Sequence, residues 1–356
     1  MKKLTLLNYL LIMAGIIMFT ACGGDDDGGV SASETPSPTI TDKYGKKITV
    51  QSVGEYYFSY DKNGKLKSFG RGEREHYEID GDKFVIKGGS DWSGEGFSDY
   101  EQTTANVSLN SHGFISGIEM NSKYEYEGED EKEESHDKTT LYFDYDENGQ
   151  LIKMSGEIEG KSIESEYEGK QEYRYEMSYD GKYEQNIKWV NGKIVNSEIK
   201  ASNTANMSGE KYKEESETSI YVDYGKTKNP VRQYSYFLAS EILGDMTGDL
   251  SILEPLCHAG LFGKGTNTLP SGYTVESYEF DDFDDDSEYS EEYELSFELN
   301  KNGTINYEKR DYYEGVQFEY ERSASKEDAK ATRSIAVEKK KKSSRGLMKK
   351  HRKTRK

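Results

Sequence analysis

Tyr60-Asp61-Lys62-Asn63-Gly64-Lys65-Leu66 reads as one complete hairpin turn with its flanking strand ends, and the chain repeats it. Asn110-Ser111-His112-Gly113, Asp146-Glu147-Asn148-Gly149 and Asn300-Lys301-Asn302-Gly303 share its Asx-x-Asn/His-Gly form. An aromatic or Leu precedes each copy (Tyr60, Leu109, Tyr145, Leu299), and an aliphatic falls two residues after each Gly (Leu66, Ile115, Leu151, Ile305). Asx residues close such turns through their own side chains, and Gly supplies the left-handed position that forms a bulge. Asp180-Gly181 and Asn191-Gly192 are further turn signals.

The flanks alternate with period two. Leu141, Phe143 and Tyr145 share one face; Tyr173, Tyr175, Met177 and Tyr179 form another row; Tyr293, Leu295, Phe297 and Leu299 alternate with polar residues. Such patterning over about a dozen to sixteen strands of ordinary length predicts an all-β domain, a curved or barrel-like antiparallel meander. One stretch departs from it. Tyr234, Phe237, Leu238, Glu241 and Ile242 recur at helical spacing after the Asn229-Pro230 turn, predicting one or two short helices between 234 and 256, interrupted by Gly244 and Gly248.

Composition sharpens the class. Leu, Ile, Val and Phe make up 18% of 356 residues, and the formal charge is −20. A Leu-rich doubly wound enzyme and a helical bundle are excluded, and the 29 tyrosines argue against a disordered acidic chain. The last thirty-one residues hold 14 Lys and Arg against 3 Asp and Glu, a charge of +11, which leaves −31 on the rest. The organisation expected is a signal peptide over 1–21, a flexible tether over 22–45, the β domain over 46–322 and a basic disordered tail over 323–356.

The N-terminus carries an address. Met1-Lys2-Lys3 precedes an apolar run to Met18, too short to span a membrane and followed at once by a small-residue site, Thr20-Ala21-Cys22. Cys22 is the expected lipidation site, with several acyl chains giving a stable outer-membrane anchor. Asp25, Asp26 and Asp27 behind it are the expected surface-export signal. Cys257 is then the sole remaining thiol, so no disulfide is expected.

Together the lipidation site, the acidic triad, the repeated Tyr-Asp-x-Asn-Gly-x-Leu hairpins and the stretch from Asn229-Pro230 through Gly263-Lys264-Gly265 to Leu269-Pro270 resemble surface lipoproteins of Bacteroidota. More narrowly, residues 50–320 resemble the family carrying domain of unknown function 4595. The resemblance implies a porin-like fold and supplies no activity. The barrel itself is expected to be water-soluble, because acidic strands such as Tyr124-Glu125-Tyr126-Glu127 would be costly against lipid.

Motifs for chemistry are sparse. Asp144-x-Asp146-x-Asn148-Gly149 begins like a calcium loop, but Ser155 stands where a bidentate Glu is needed. The Gly260 to Thr266 stretch lacks phosphate-loop spacing, the five histidines are scattered, and Cys257-His258 are adjacent rather than opposed. Acidic clusters over 125–137 and 276–294 read as solvated loop charge. No enzyme activity, cofactor or metal is expected.

The sequence points instead to a lipid-anchored outer-membrane protein that binds an extracellular glycan or protein, with a structural component of an outer-membrane complex as the alternative. Tyr173, Tyr175 and Tyr179, with Trp189 as a stacking platform, are the candidate ligand-binding residues. The basic tail is expected to contact anionic surfaces without specific nucleic-acid recognition. Cys22→Ser should leave the precursor unprocessed or release the protein from membranes, which fractionation of the two forms measures.

Overall fold

The computed structural model describes residues 32–322, apart from Thr39, Gly81, Glu95, 169–170, Ser208, 244–251, 282–286 and Tyr312. Cys22, Asp25 to Asp27, Gly244, Gly248 and the basic tail therefore lie outside the described residues. Strands run β1 Ile40–Thr41, β2 Lys47–Val53, β3 Tyr56–Tyr60, β4 Leu66–Arg71, β5 Glu75–Ile79 and β6 Val85–Asp91. Longer strands follow: β7 Ser98–Leu109, β8 Ile115–Glu127, β9 Glu131–Tyr145, β10 Leu151–Glu168, β11 Gln171–Val190, β12 Lys193–Met207 and β13 Glu210–Lys228. After helices α1 Tyr236–Leu243 and α2 Leu253–His258 come β14 Thr268–Asp281, β15 Ser287–Leu299, β16 Ile305–Arg310 and β17 Val316–Arg322.

Each strand from β2 to β17 pairs antiparallel with the next, and β17 returns to β2 through Phe318↔Val53 and Tyr320↔Val50. The result is a closed sixteen-stranded barrel: the alternation and turn chemistry predict the antiparallel meander, and the pairing of β17 with β2 closes it. In all four repeated turns the Gly N–H donates to the carbonyl of the first Asx at 2.9 or 3.0 Å. The four glycines have φ between +74° and +90°, a region a Cβ disfavours. A register shift adjoins every copy, at Ser59/Tyr60, Ser108/Leu109, Leu151/Lys153 and Glu298/Leu299. Asp42-Lys43-Tyr44-Gly45 is a fifth copy, with Gly45 at +77°. Its Tyr44 stands where the others carry Asn or His, which hid it in the sequence.

All these turns lie at one end of the barrel, the turn end; the opposite end is the mouth. The wall is uneven. Strands β2 to β6 have 5 to 7 residues, whereas β10 and β11 have 18 and 20. At about 3.4 Å per residue the tall wall rises ~60–70 Å along its strands against ~17–24 Å on the short side.

Inside the short section lies one apolar core, contributed by strands from around the barrel and by both helices. A sixteen-stranded barrel is too wide for its own side chains to fill. The described residues of 229–243 and 252–267 fill it as a plug. Its Tyr234 hydroxyl donates to Phe262 O at 3.2 Å, Ile115 N–H to Leu261 O at 2.9 Å and Lys264 N–H to Gly149 O at 2.8 Å. Trp189 is part of this packing, its indole N–H donating to Leu151 O at 2.7 Å. The described part of the expected tether is docked rather than free: Ser33 N–H donates to Val107 O at 2.9 Å, and buried Thr35 donates to Asp80 O at 2.9 Å.

One buried carboxyl fastens α1. Glu308, fully buried on the inner face of β16, accepts from Ser235 Oγ, Tyr236 N–H (2.6 Å) and Phe237 N–H (3.2 Å). Burial pushes its pKa up to about 7 against these lowering hydrogen bonds. Because the folded pKa exceeds the unfolded one, this group's contribution is greatest below about pH 4.5 and is lost as pH rises through about 7. Glu308→Gln should flatten the fall in unfolding free energy over that range, a difference of up to about 3 kcal/mol by urea titration. Glu308→Ala, which leaves the buried Tyr236 and Phe237 amides without that acceptor, should destabilise the fold by about 1–3 kcal/mol or more at any pH.

Candidate functional site

Strand register places the predicted tyrosine row on the inner face of the tall wall. Going down β11 from the mouth, Tyr173 (37% exposed), Tyr175, Met177 and Tyr179 continue into buried Tyr183, Gln185 and Ile187. Trp189 lies ten residues beyond Tyr179 at the turn end, ~34 Å along the strand. It is half-buried, packed against the core beside Leu151, and not a stacking partner for the row.

What the row does meet is acidic. Glu166 pairs with Tyr173 and with Glu131; one rung down, Tyr126, Glu133, Glu164 and Tyr175 lie side by side across β8 to β11. The next rung is Tyr124, Ser135, Ser162 and Met177, and the one below is Ser122, Asp137, Gly160 and Tyr179. The lowest of these is closed by packing. Tyr179 crosses Gly160, where a Cβ would sit 2.4 Å from its ring, and its hydroxyl donates to Asp137. The two upper rungs instead set like charges directly opposite, Glu133 against Glu164 and Glu131 against Glu166. This arrangement is destabilising in a sheet.

The outer face shows the ordinary alternative. There Lys123 bridges Glu125 (2.6 Å) and Glu134 (3.4 Å), Lys182 pairs with Glu157 (2.6 Å), and Lys153 with Glu184 (3.2 Å). Glu131, Glu164 and Glu166 have no such ion pair among the described residues, and Glu133 accepts from Ser162 Oγ at 3.3 Å. Partial burial, then repulsion from Glu131, Glu133 and Glu166, pushes the Glu164 carboxyl up to about 7. Burial and Glu166 raise Glu131 as well. Carboxylates flanked by tyrosines on both sides suit an organic cation, which takes charge from the former and ring faces from the latter.

Below the rungs the inner surface ends on the plug. Arg310 donates to Glu241 Oε1 and to the Tyr273 hydroxyl, both at 2.6 Å, and lies over the rings of Phe237, Tyr293 and Tyr313. This ties α1 to β14 and β16 through the Arg310 terminal nitrogen, while its buried Nε has no hydrogen-bond partner. Cys257 is buried in the plug, where desolvation raises its thiol pKa well above the usual value, so it is not an activated nucleophile. Among the described residues no group of three His, Cys, Asp or Glu side chains is arranged to hold a metal. The calcium-like Asp146 turn spends its carboxylate on Asn148 and Gln150 N–H groups.

Sequence reasoning found the tyrosines and missed their carboxylate partners. Glu131 and Glu133 lie in a cluster read as loop charge, but they belong to β9, and only the pairing register shows which of its acids face inward.

No family model matches the chain, and no curated protein matches it, so the resemblance to domain of unknown function 4595 stays a resemblance. Among solved structures, a porin-like protein from Bacteroides uniformis is similar, at 12% identity and a TM-score of 0.36, covering 80% of this chain and 95% of that one.

The two parts of the predicted row separate on mutation. Trp189→Ala should cost about 2 kcal/mol or more of stability through a core cavity, whereas Tyr175→Ala should shift unfolding by no more than ~0.5 kcal/mol. Equal losses in urea titrations of the two variants would put Tyr175 in the core too.

Proposed function

We propose that the mature protein is a lipid-anchored, non-enzymatic binding protein of the outer membrane. On this reading the inner face of its tall wall takes a basic segment of an extracellular protein. The observation that carries the reading is the rung Tyr126, Glu133, Glu164, Tyr175, which sets two carboxylates directly opposite each other between aromatic neighbours on the inner face. Like charges opposed in a sheet cost stability, and such departures from sheet rules are expected at functional surfaces. Of the two ligand classes expected from the sequence, the carboxylates favour protein over neutral glycan.

Chain direction supports the orientation. The N-terminal segment enters along the turn end, where Ser33 and Thr35 dock. An anchor at Cys22 then holds the turn end toward the membrane and leaves the mouth facing outward. Strand β17 also finishes at the turn end, so the basic tail begins on the membrane side, next to anionic headgroups. The ion-paired outer face supports a barrel standing in water, since charge at a lipid midplane costs about 2–4 kcal/mol.

An Arg- and Lys-rich peptide should bind the mature chain, and Glu133→Gln with Glu164→Gln should weaken it by about tenfold or more. Affinity should fall with salt, and fall again below about pH 7 as Glu164 takes up its proton. Calorimetry at two pH values checks both. Retention of neutral glycans with no affinity for the basic peptide would reverse the ligand class, and binding of neither would favour a structural component of an assembly.

A further inference from the structure

The tall wall sorts its charge by face. Every Lys and Arg of β7 to β11, from Lys123 to Lys188, stands at an outward register position. The carboxylates occupy both faces. Asp99 extends the Tyr126 rung and Glu101 the Tyr124 rung onto β7. With Glu131, Glu133, Glu164 and Glu166 these are inward acids interleaved with tyrosines, and no strand from β7 to β11 sets a cation among them. The surface stands partly open: Tyr173 is exposed, and none of Glu131, Glu133, Glu164 and Glu166 is buried.

The same chain carries a segment of matching charge. Residues 323–338 hold Lys326, Lys330 and Arg333 against Glu327, Asp328 and Glu338, a net charge of zero in a stretch rich in Ala and Ser. Residues 339–356 hold eleven Lys and Arg and no Asp or Glu. The charge of the tail is therefore confined to its far part, behind a balanced spacer. A tail built for headgroups beside Arg322 needs no such spacer; a tail that must carry its charge elsewhere does. Blocks of like charge of this kind are interaction segments.

The spacer is long enough for the mouth. Strand β17 ends at Arg322, opposite Ile48 at the turn end, on the short side of the barrel. Strands β9 and β10 lie across the barrel from it, midway round the strand order. Sixteen tilted strands ~4.8 Å apart make a barrel roughly 25–30 Å across. The route up the short wall, over its rim and across to Glu133 and Glu164 is then ~50–60 Å. Extended chain covers about 3.3–3.6 Å per residue, so the spacer alone reaches ~53–58 Å and delivers the cationic segment to the upper rungs.

We propose that segment 339–356 lies on the inner face of its own chain as a tethered occupant, which an extracellular basic segment must displace. This rests on the mouth being a site for basic peptide. Lys and Arg meet the opposed carboxylates, and the tyrosine rings take the same cations on their faces. Tethering keeps the segment at high local concentration, so it holds the mouth against weak competitors. A carbodiimide, which joins Lys amines to carboxylates in contact, should link lysines of 339–356 to Glu131, Glu133, Glu164 or Glu166 within the mature chain. Dilution should leave the yield unchanged, and high salt should abolish it. The links should persist on phosphatidylglycerol vesicles; their loss there would overturn the proposal in favour of a membrane-binding tail. Lys349→Gln, Lys350→Gln, Arg352→Gln and Lys353→Gln together should let an added peptide of sequence 339–356 bind about tenfold tighter. Links only to outward acids such as Glu157, or only between chains, would overturn the proposal. Equal peptide affinity with and without the four substitutions would overturn it and leave the mouth reading standing, whereas no peptide binding to either form would overturn both.

Discussion

A barrel of sixteen strands encloses more space than the side chains of its own wall can fill, and this constraint shapes the rest of the molecule. Closure removes the two sheet edges that a meander would otherwise expose. It also creates a lumen that must be packed by something else or left to water. Here the solution is split along the barrel. At the turn end, residues 229–243 and 252–267 lie in the lumen with helices α1 and α2, and apolar residues of strands around the barrel converge on them. Toward the mouth the inner face turns polar, and only the tall wall continues.

The composition follows from that division. A chain with 18% Leu, Ile, Val and Phe can pack one short section, not the full height of 20-residue strands. Tyrosine serves both zones. In the packed section its hydroxyl finds a backbone carbonyl, as Tyr60 does at Val50 (2.9 Å), Tyr145 at Ile115 (2.7 Å) and Tyr320 at Ile305 (2.9 Å). Phenylalanine would bury as much there but could not satisfy those positions. Above the plug the same residue type stands partly in water beside carboxylates. The abundance of tyrosine is therefore explained by structure at one end, and at the other end by the binding surface we infer.

The sequence made the fold legible because its signals are local. Asp61, Asn110, Asp146 and Asn300 each close a turn within four residues, and period-two rows fix which residues share a face. Helix α1 is visible from Phe237, Leu238 and Ile242, and α2 from Ile252, Leu253 and Leu256. Three features were not. The strand count on each side of a turn says nothing of how β17 finds β2, because that contact joins the two ends of the domain. The inward direction of Glu133 and Glu164 depends on pairing across three strands, which charge counting blurs into a cluster. The turn at Asp42 departs from the repeat by one residue, Tyr44, and so escaped the pattern that revealed its sisters.

Closure of β17 on β2 is the contact on which lumen, plug and inner face all rest. Ser52 and Glu319 are directly opposed in that pairing on the outer side of the barrel. Opposed antiparallel residues stand about 4.5–5.5 Å apart, within disulfide reach. Chain carrying Ser52→Cys and Glu319→Cys should form an intramolecular disulfide under mild oxidation, seen as a mobility shift that reductant reverses. The pair Ser52→Cys and Gln317→Cys, out of register, should not. No cross-link from the opposed pair in folded protein, or equal yields from both pairs, would contradict a closed barrel.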